Sequence, residues 1–539
     1  MERYHFSDRS EHKLGAPLSG VAKNIERLAI FPNRSLQTIL YTIRVEPNSV
    51  MRSAKNRFII YVLIAALGLI LACRVTAQTL TTLHSFTAAP PPFTNSDGAN
   101  PGGLLLSGKT LYGTTLQGGS SGNGVVFAMS TDGTGFRVLH DFTAASDDSS
   151  GVFTNGDGAN PAILALSGNT LYGTAYNGGT SGNGTIFRVN ASGTGFMVLY
   201  TFSPLPFPDH YGSNYDGAYP NGLVVSGSTL YGTAAFGGAS GFGTLFAMSA
   251  YGGGFTNMHS FTGYPNDGAG PNGGLILTGN NLYGITSGGG NSGHGTVFII
   301  YGGGYGIVHH LNGGSDGAGP VGLILGSTNL YGIAAGGGGS GIGTVFKLNS
   351  DGTDFATLHS FAPPPPPNTN SDGAYPNSLV LSGQRLYGTA SQGGSSHNGT
   401  VFTVNTDGTG FSMLYNFSPT PGFAYERSPN DDGAEPNGLL LSGSLLYGTA
   451  FYGGTSGAGT VFSLSFPPQL AITFSGTNVI LTWPTNYAGF DYSGFTLQST
   501  TNLVAPVWMT NSPAPAVVNG ENTVTNPISG TQQFFRLSQ

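Results

Sequence analysis

The chain has 539 residues, of which 8% are charged and 89 are glycine, and its formal net charge is −7. Hydrophobic residues still make up 39% and recur at fixed places, so composition excludes a disordered polar chain. Of the 18 Lys+Arg and 25 Asp+Glu, 11 and 5 precede Gln78, which leaves 7 basic against 20 acidic residues and a net of −13 beyond it. That balance argues against nucleic acid and anionic membrane surfaces as partners.

In chain order, residues 1–50 read as a disordered upstream extension, with Met51 as the functional start. Met51 to Arg57 is basic, Phe58 to Ala72 is apolar, and Val75-Thr76-Ala77 is a small-residue cleavage pattern. This predicts a signal peptide over 51–77 and export. Cys73 is the only cysteine, so no disulfide staples the exported part. Ile70-Leu71-Ala72-Cys73 resembles a lipobox, and lipid anchoring at Cys73 is the alternative to plain cleavage.

From residue 78 to 466 one pattern is written seven times: D-G-A-x-P, L-Y-G-T, G-G-x-S-G-x-G-T-V-F and L-H-S-F. Its first block carries Asp97, Asp157, Asp216, Asp267, Asp316, Asp372 and Asp432. From that Asp to the Tyr of L-Y-G is 15 residues in six copies and 16 in the fourth; from the Tyr to the Phe of T-V-F is 15 in all seven. Each copy predicts four antiparallel strands: in the first, A (Gly103–Ser107), B (Thr110–Thr115), C (Gly124–Met129) and D (Phe136–Phe142). Asp132-Gly133 predicts a type I′ hairpin between C and D. Thr79 to Phe86 is a D strand with no A, B or C before it, and the seventh copy stops after C. The predicted fold is therefore all-β, a seven-bladed β-propeller of four-stranded blades whose ring is closed by the N-terminal strand. After Phe466, residues 467–539 predict a small β-sandwich, with strands at 470–474, 478–483, 495–498, 508–510 and 533–537. Trp483 is assigned to its core; Trp508 carries no assignment.

The repeat resembles the GloVer tandem repeat of exported bacterial proteins, whose consensus centres on L-Y-G-T and G-G-x-x-G-x-G-T-V-F. The resemblance covers residues 79–465, with Ile285 and Ile333 in place of the Thr and abbreviated fourth and fifth copies. It implies export and a propeller-like fold, and no catalytic residues. The phasing also resembles kelch repeats, without the kelch Trp. Val479-Ile-Leu-Thr-Trp483 resembles the Trp-bearing strand of immunoglobulin-like and fibronectin type III domains.

Repetition in every copy assigns the seven Asp residues a structural role in which the carboxylate accepts backbone N–H bonds beside a glycine turn. His84, His140, His259, His309 and His359 share one position, filled by Tyr200 and Tyr415 elsewhere, which argues against metal ligation. The glycine loops lack the Lys and the helix of a phosphate site. Acids outside the repeat pattern gather at Glu426, Asp431 and Glu435. The loop from D to the next Asp spans 11, 15 and 14 residues into blades one to three, 6 and 5 into blades four and five, then 11 and 15. That variation predicts a binding cleft open toward 268–271 and 317–320 and rimmed by Phe93, Phe153, Tyr211, Tyr215 and Tyr425. The expected function is a secreted or cell-surface, non-catalytic monomer binding an extracellular polysaccharide or protein, without cofactor or metal. The alternative is a carbohydrate-active hydrolase or lyase using Glu426, Asp431 and Glu435.

Overall fold

The computed structural model describes residues 78–147, 152–206, 212–363, 370, 372–421, 428–487, 489–502, 506–511, 514–527 and 533–538. The upstream extension, the signal peptide and Cys73 lie outside the described residues. The described chain is all-β, with no helix, and divides into two compact units, 78–466 and 467–539.

In the larger unit each repeat folds into its own antiparallel sheet with strands in the order A-B-C-D, giving a propeller-like repeat fold. The first sheet comprises Ala99–Ser107, Thr110–Gln117, Val125–Ser130 and Arg137–Asp141. The seventh takes its A, B and C strands from Ala434–Ser442, Leu445–Tyr452 and Thr460–Ser465. Its outer strand is Thr79–Ser85, paired antiparallel with Leu80 opposite Leu464 and Thr82 opposite Phe462.

Residue chemistry explains the constant letters. In every sheet the Gly of L-Y-G on strand B lies opposite the Phe of T-V-F on strand C, as Gly113 does opposite Phe127. The Phe ring occupies the space a Cβ would need, so alanine there would meet Phe127 directly. These Phe residues are fully buried, together with the Phe or Leu that ends each strand D (Phe86, Phe142, Phe202, Phe261, Leu311, Phe361 and Phe417). The core is thus a series of aromatic layers between neighbouring sheets. Phe86 packs on Phe127 at 5.6 Å in the first sheet, and Phe142 on Phe187 at 5.3 Å in the second.

Three local expectations need correction. Of the Asp132-Gly133 pair Asp132 keeps a negative φ while Gly133 is left-handed at φ 86, so the turn is not type I′. The Asp132 carboxylate instead accepts from Thr134 N at 3.0 Å and Thr134 Oγ1 at 2.6 Å, closing an Asx turn. Strand A of the fourth sheet is broken into Gly268–Pro271 and Ile276–Thr278. The extra residue in that copy is absorbed at Gly273 and Gly274, both left-handed. In the loop entering the second sheet, Ser146–Asp147 and Phe153–Thr154 form a two-residue hairpin where only loop was expected.

In the smaller unit Asn478–Pro484 pairs with Ala471–Ser475 on one side and Glu521–Pro527 on the other. A second sheet pairs Thr496–Thr500 with Phe534–Ser538 and Met509–Thr510. Trp483, Val479, Leu481 and Val524 from the first sheet share one core with Leu497 and Phe535 from the second. Strand Glu521–Pro527 escaped the sequence reading because its buried face carries Asn522 and Asn526 beside Val524, so no apolar alternation marks it.

Candidate functional site

The repeated Asp residues sit at the start of strand A and bind the strand D of the preceding sheet. His84 Nε2 lies 3.1 Å from Asp97, His140 3.0 Å from Asp157, and Tyr200 Oη donates to Asp216 at 2.8 Å. The same bond recurs at His259–Asp267, His309–Asp316, His359–Asp372 and Tyr415–Asp432. Tyr can replace His because each supplies one donor at that reach. An aromatic ring from the next sheet covers six of these groups: Phe136 stacks on His84 at 3.9 Å and Phe196 on His140 at 3.4 Å. Burial alone would raise the Asp97 and Asp157 pKa, but hydrogen bonds from the His and from Thr87 or Thr143 outweigh it and hold both below the ordinary value. Asp267, which also accepts from Tyr305 Oη at 2.6 Å, is held at about 2. The seven carboxylates stay in seven separate junctions.

Beside each Asp is the x of D-G-A-x-P, occupied by Asn100, Asn160, Tyr219, Gly270, Gly319, Tyr375 and Glu435. All seven have left-handed backbone, with φ between 54° and 60°. Each donates its backbone N–H to a carbonyl of the preceding sheet at 2.8–2.9 Å: Asn160 to Asn123, Tyr219 to Asn183, Gly270 to Phe242, Gly319 to His294, Tyr375 to Ile342 and Glu435 to Asn398. Asn100 donates likewise to Ala458, in the seventh sheet. The Pro that follows packs against the last Gly of the preceding G-x-G, Pro161 on Gly124 and Pro101 on Gly459, leaving no room for a Cβ. Here the sequence pattern and the junction geometry explain each other.

These observations fix the relationship of the chain. The pattern of the Gloeobacter/Verrucomicrobia repeat matches residues 64–206, 152–329 and 301–494. The chain belongs to this repeat family. No curated protein matches it. Among solved structures it is 13% identical to the computationally designed Ika8 protein, over 71% of this chain and 100% of that one, at a TM-score of 0.37. It is 10% identical to a puromycin-hydrolyzing peptidase of Mycobacterium tuberculosis, over 74% and 62%, at 0.42. It is 13% identical to TolB from Acinetobacter baumannii, over 54% and 59%, at 0.33. With scores this low, neither activity nor ligand passes from these proteins to this chain.

Within this member of the Gloeobacter/Verrucomicrobia repeat family, the x position is where side chains differ inside a near-constant motif. The residue opposite the Ala of D-G-A on strand B differs with it: Gln117, Asn177, Phe236, Gly288, Gly336, Gln392 and Tyr452. Both positions are glycine in sheets four and five, the two with the shortest D-to-A loops. In the other five, side chains crowd this end of the sheets. Tyr176 stacks on Tyr219 at 5.1 Å, and Tyr219 meets Phe236 edge-on at 5.7 Å. Asn177 Nδ2 donates to Asn160 Oδ1 at 2.9 Å. Burial raises the pKa of Tyr176 and Tyr219, so both stay neutral phenols.

The rim residues named from sequence are distributed differently. Phe93 (39% exposed), Phe153 (64%) and Tyr215 (66%) project from the successive loops entering sheets one to three. Phe93 lines a shallow cavity of about 350 Å³ with Pro91, Ser456 and Ala458. Tyr211, Tyr425 and Glu426 lie outside the described residues. Asp431 is exposed, and its backbone carbonyl accepts from Thr82 Oγ1 at 2.8 Å. Glu435 is half-buried at an x position, where burial raises its pKa. The other x residues were missed because they hide inside the repeat; the signal that marks them is the single variable letter in D-G-A-x-P.

Proposed function

We propose that the seven repeat sheets are the blades of a closed, kelch-like seven-bladed β-propeller followed by an immunoglobulin-like β-sandwich over 467–539. The protein is exported by the signal peptide at 51–77 and works as a non-catalytic monomer that binds an extracellular glycan. The ligand lies across the end of the propeller that carries the seven x positions, between the aromatic side of blades two and three and that of blades six and seven, over the glycines of blades four and five.

One observation carries this reading. Backbone at φ 54–60° suits Gly and tolerates Asn, whose amides at Asn100 and Asn160 donate to Phe451 O and Leu116 O. Tyr219, Tyr375 and Glu435 hold the same φ with side chains that this conformation disfavours by about 1–2 kcal/mol each. The fold does not need them, since blades four and five use Gly, and strain kept at a variable position points to binding. Tyrosine offers rigid, amphipathic contact area at low entropic cost, and its ring faces stack on the C–H faces of sugar rings. A glycoside hydrolase of the common kind requires two carboxylates about 5–10 Å apart across the scissile bond, and the seven x positions supply one. Tyr219→Gly and Tyr375→Gly variants screened on a glycan array test the proposal: retained fold with lost binding is expected, and unchanged binding by both variants refutes it.

A further inference from the structure

We infer that the glycan is one bearing free amino groups, and that Glu435 is the residue that receives its ammonium group. The inference rests on the proposed binding face and goes further, to the chemistry of the ligand.

Glu435 is the one acidic residue among the seven x positions. Its backbone N–H is already used by Asn398 O. Its Oε1 is buried and meets no hydrogen-bond partner, and none of the ion pairs found among the described residues includes it. A carboxylate drawn partly out of water without a donor or cation is held at a cost. The fold offers an alternative at that position, because Gly270 and Gly319 take the same backbone conformation. Stability therefore does not explain the choice of Glu, whereas a ligand cation does.

The positions next in the repeat carry aromatic residues. Tyr375, at the x position of the preceding sheet, is 41% exposed. Tyr452 faces Ala434, the residue before Glu435, across strands A and B, and Phe451 meets Tyr452 edge-on at 4.8 Å. An ammonium that met both the carboxylate and a tyrosine face would gain a charge-assisted hydrogen bond and cation–π attraction. A divalent metal ion is a poor occupant, because it asks for six or so oxygen ligands and no group of three His, Cys, Asp or Glu side chains that could hold one is gathered among the described residues. The net charge of −13 beyond Ala77 draws a polycationic glycan toward the protein and repels uronate- or sulfate-bearing ones.

The test measures binding of the purified protein to glucosamine oligomers, to N-acetylglucosamine oligomers of the same length, and to lysine oligomers, by titration calorimetry. Glucosamine oligomers are expected to bind at least about tenfold tighter than the acetylated ones. Glu435→Gln is expected to lose about ten- to a hundredfold in affinity for glucosamine oligomers and little for the acetylated ones, as removal of a charge-assisted hydrogen bond implies. Glu435→Gly, which relieves the left-handed backbone, is expected to show the same loss in a folded protein. Equal binding of the two sugar oligomers, an unaffected Glu435→Gln variant, or tighter binding of lysine oligomers overturns the inference. In each of these cases, sugar binding that is still abolished by Tyr375→Gly leaves the binding face standing; binding untouched by Tyr375→Gly removes the face as well.

Discussion

The junction between the seventh and first sheets is the place to break the larger unit, and Phe86 is the residue to break it with. Phe86 is fully buried, with Phe127 at 5.6 Å and Phe136 at 5.9 Å from the first sheet and Val461 in the seventh sheet within the same cluster. A buried Phe withdraws about 150–250 Å² from water, which at about 25 cal/mol per Å² is about 4–6 kcal/mol as an upper bound. Phe-to-Ala substitutions in cores cost about 3–5 kcal/mol. Phe86→Ala is therefore expected to lower stability by about 4 kcal/mol, as much as Phe261→Ala at the same position between sheets three and four. Urea unfolding followed by far-UV circular dichroism reads the repeat sheets. Fluorescence of Trp483 and Trp508, both in residues 467–539, reads the smaller unit separately. In a closed ring both variants shift one cooperative transition equally, because every junction has two neighbours. In an open array the chain ends would fray first, and Phe86→Ala would leave the main midpoint near wild type. A shift for Phe86→Ala less than a third of that for Phe261→Ala refutes the closure argument.

Three further outcomes follow from the junctions and the x positions. Gly459→Ala places a Cβ against Pro101 and the backbone oxygen of Ala450 at φ 101°, and is expected to cost about 2–5 kcal/mol from overpacking and backbone strain, read as a lowered urea midpoint. The carboxyls of Asp97, Asp157 and Asp267 are held below their ordinary values, so their contribution is complete above about pH 4 and is lost as pH falls through their lowered values, for Asp267 about 2; thermal melts from about pH 5 downward should show Tm falling only below about pH 4, and a flat profile there contradicts the junction role. Tyr375→Gly is expected to raise stability by about 0.5–1 kcal/mol, since the relief of left-handed strain exceeds the entropic cost of Gly, while it weakens glycan binding; a clear loss of stability would show that Tyr375 serves the fold.

The amino-acid sequence by itself determined the local structure of the repeats. Seven copies with nearly constant spacing mark the four strands of each sheet, because glycine turns and β-branched or aromatic runs act within a few residues of one another. The D-like strand at Thr79–Ser85 was legible for the same reason, as a copy of a pattern seen six more times. What lay beyond reach were the pairings between sheets. That His84 or Tyr200 serves the Asp of the next repeat, that Pro101 needs Gly459 to be glycine, and that x is left-handed are facts about residues brought together from different copies. The binding cleft expected from loop lengths drew attention to Phe93, Phe153 and Tyr215, on the loops. Only the tertiary structure showed that Tyr219, Tyr375 and Glu435 share with the glycines of sheets four and five one left-handed position at the start of strand A. The physical reason is that a repeat advertises what every copy shares, through spacing, whereas a junction is built from residues of two copies, which meet only when the sheets pack side by side.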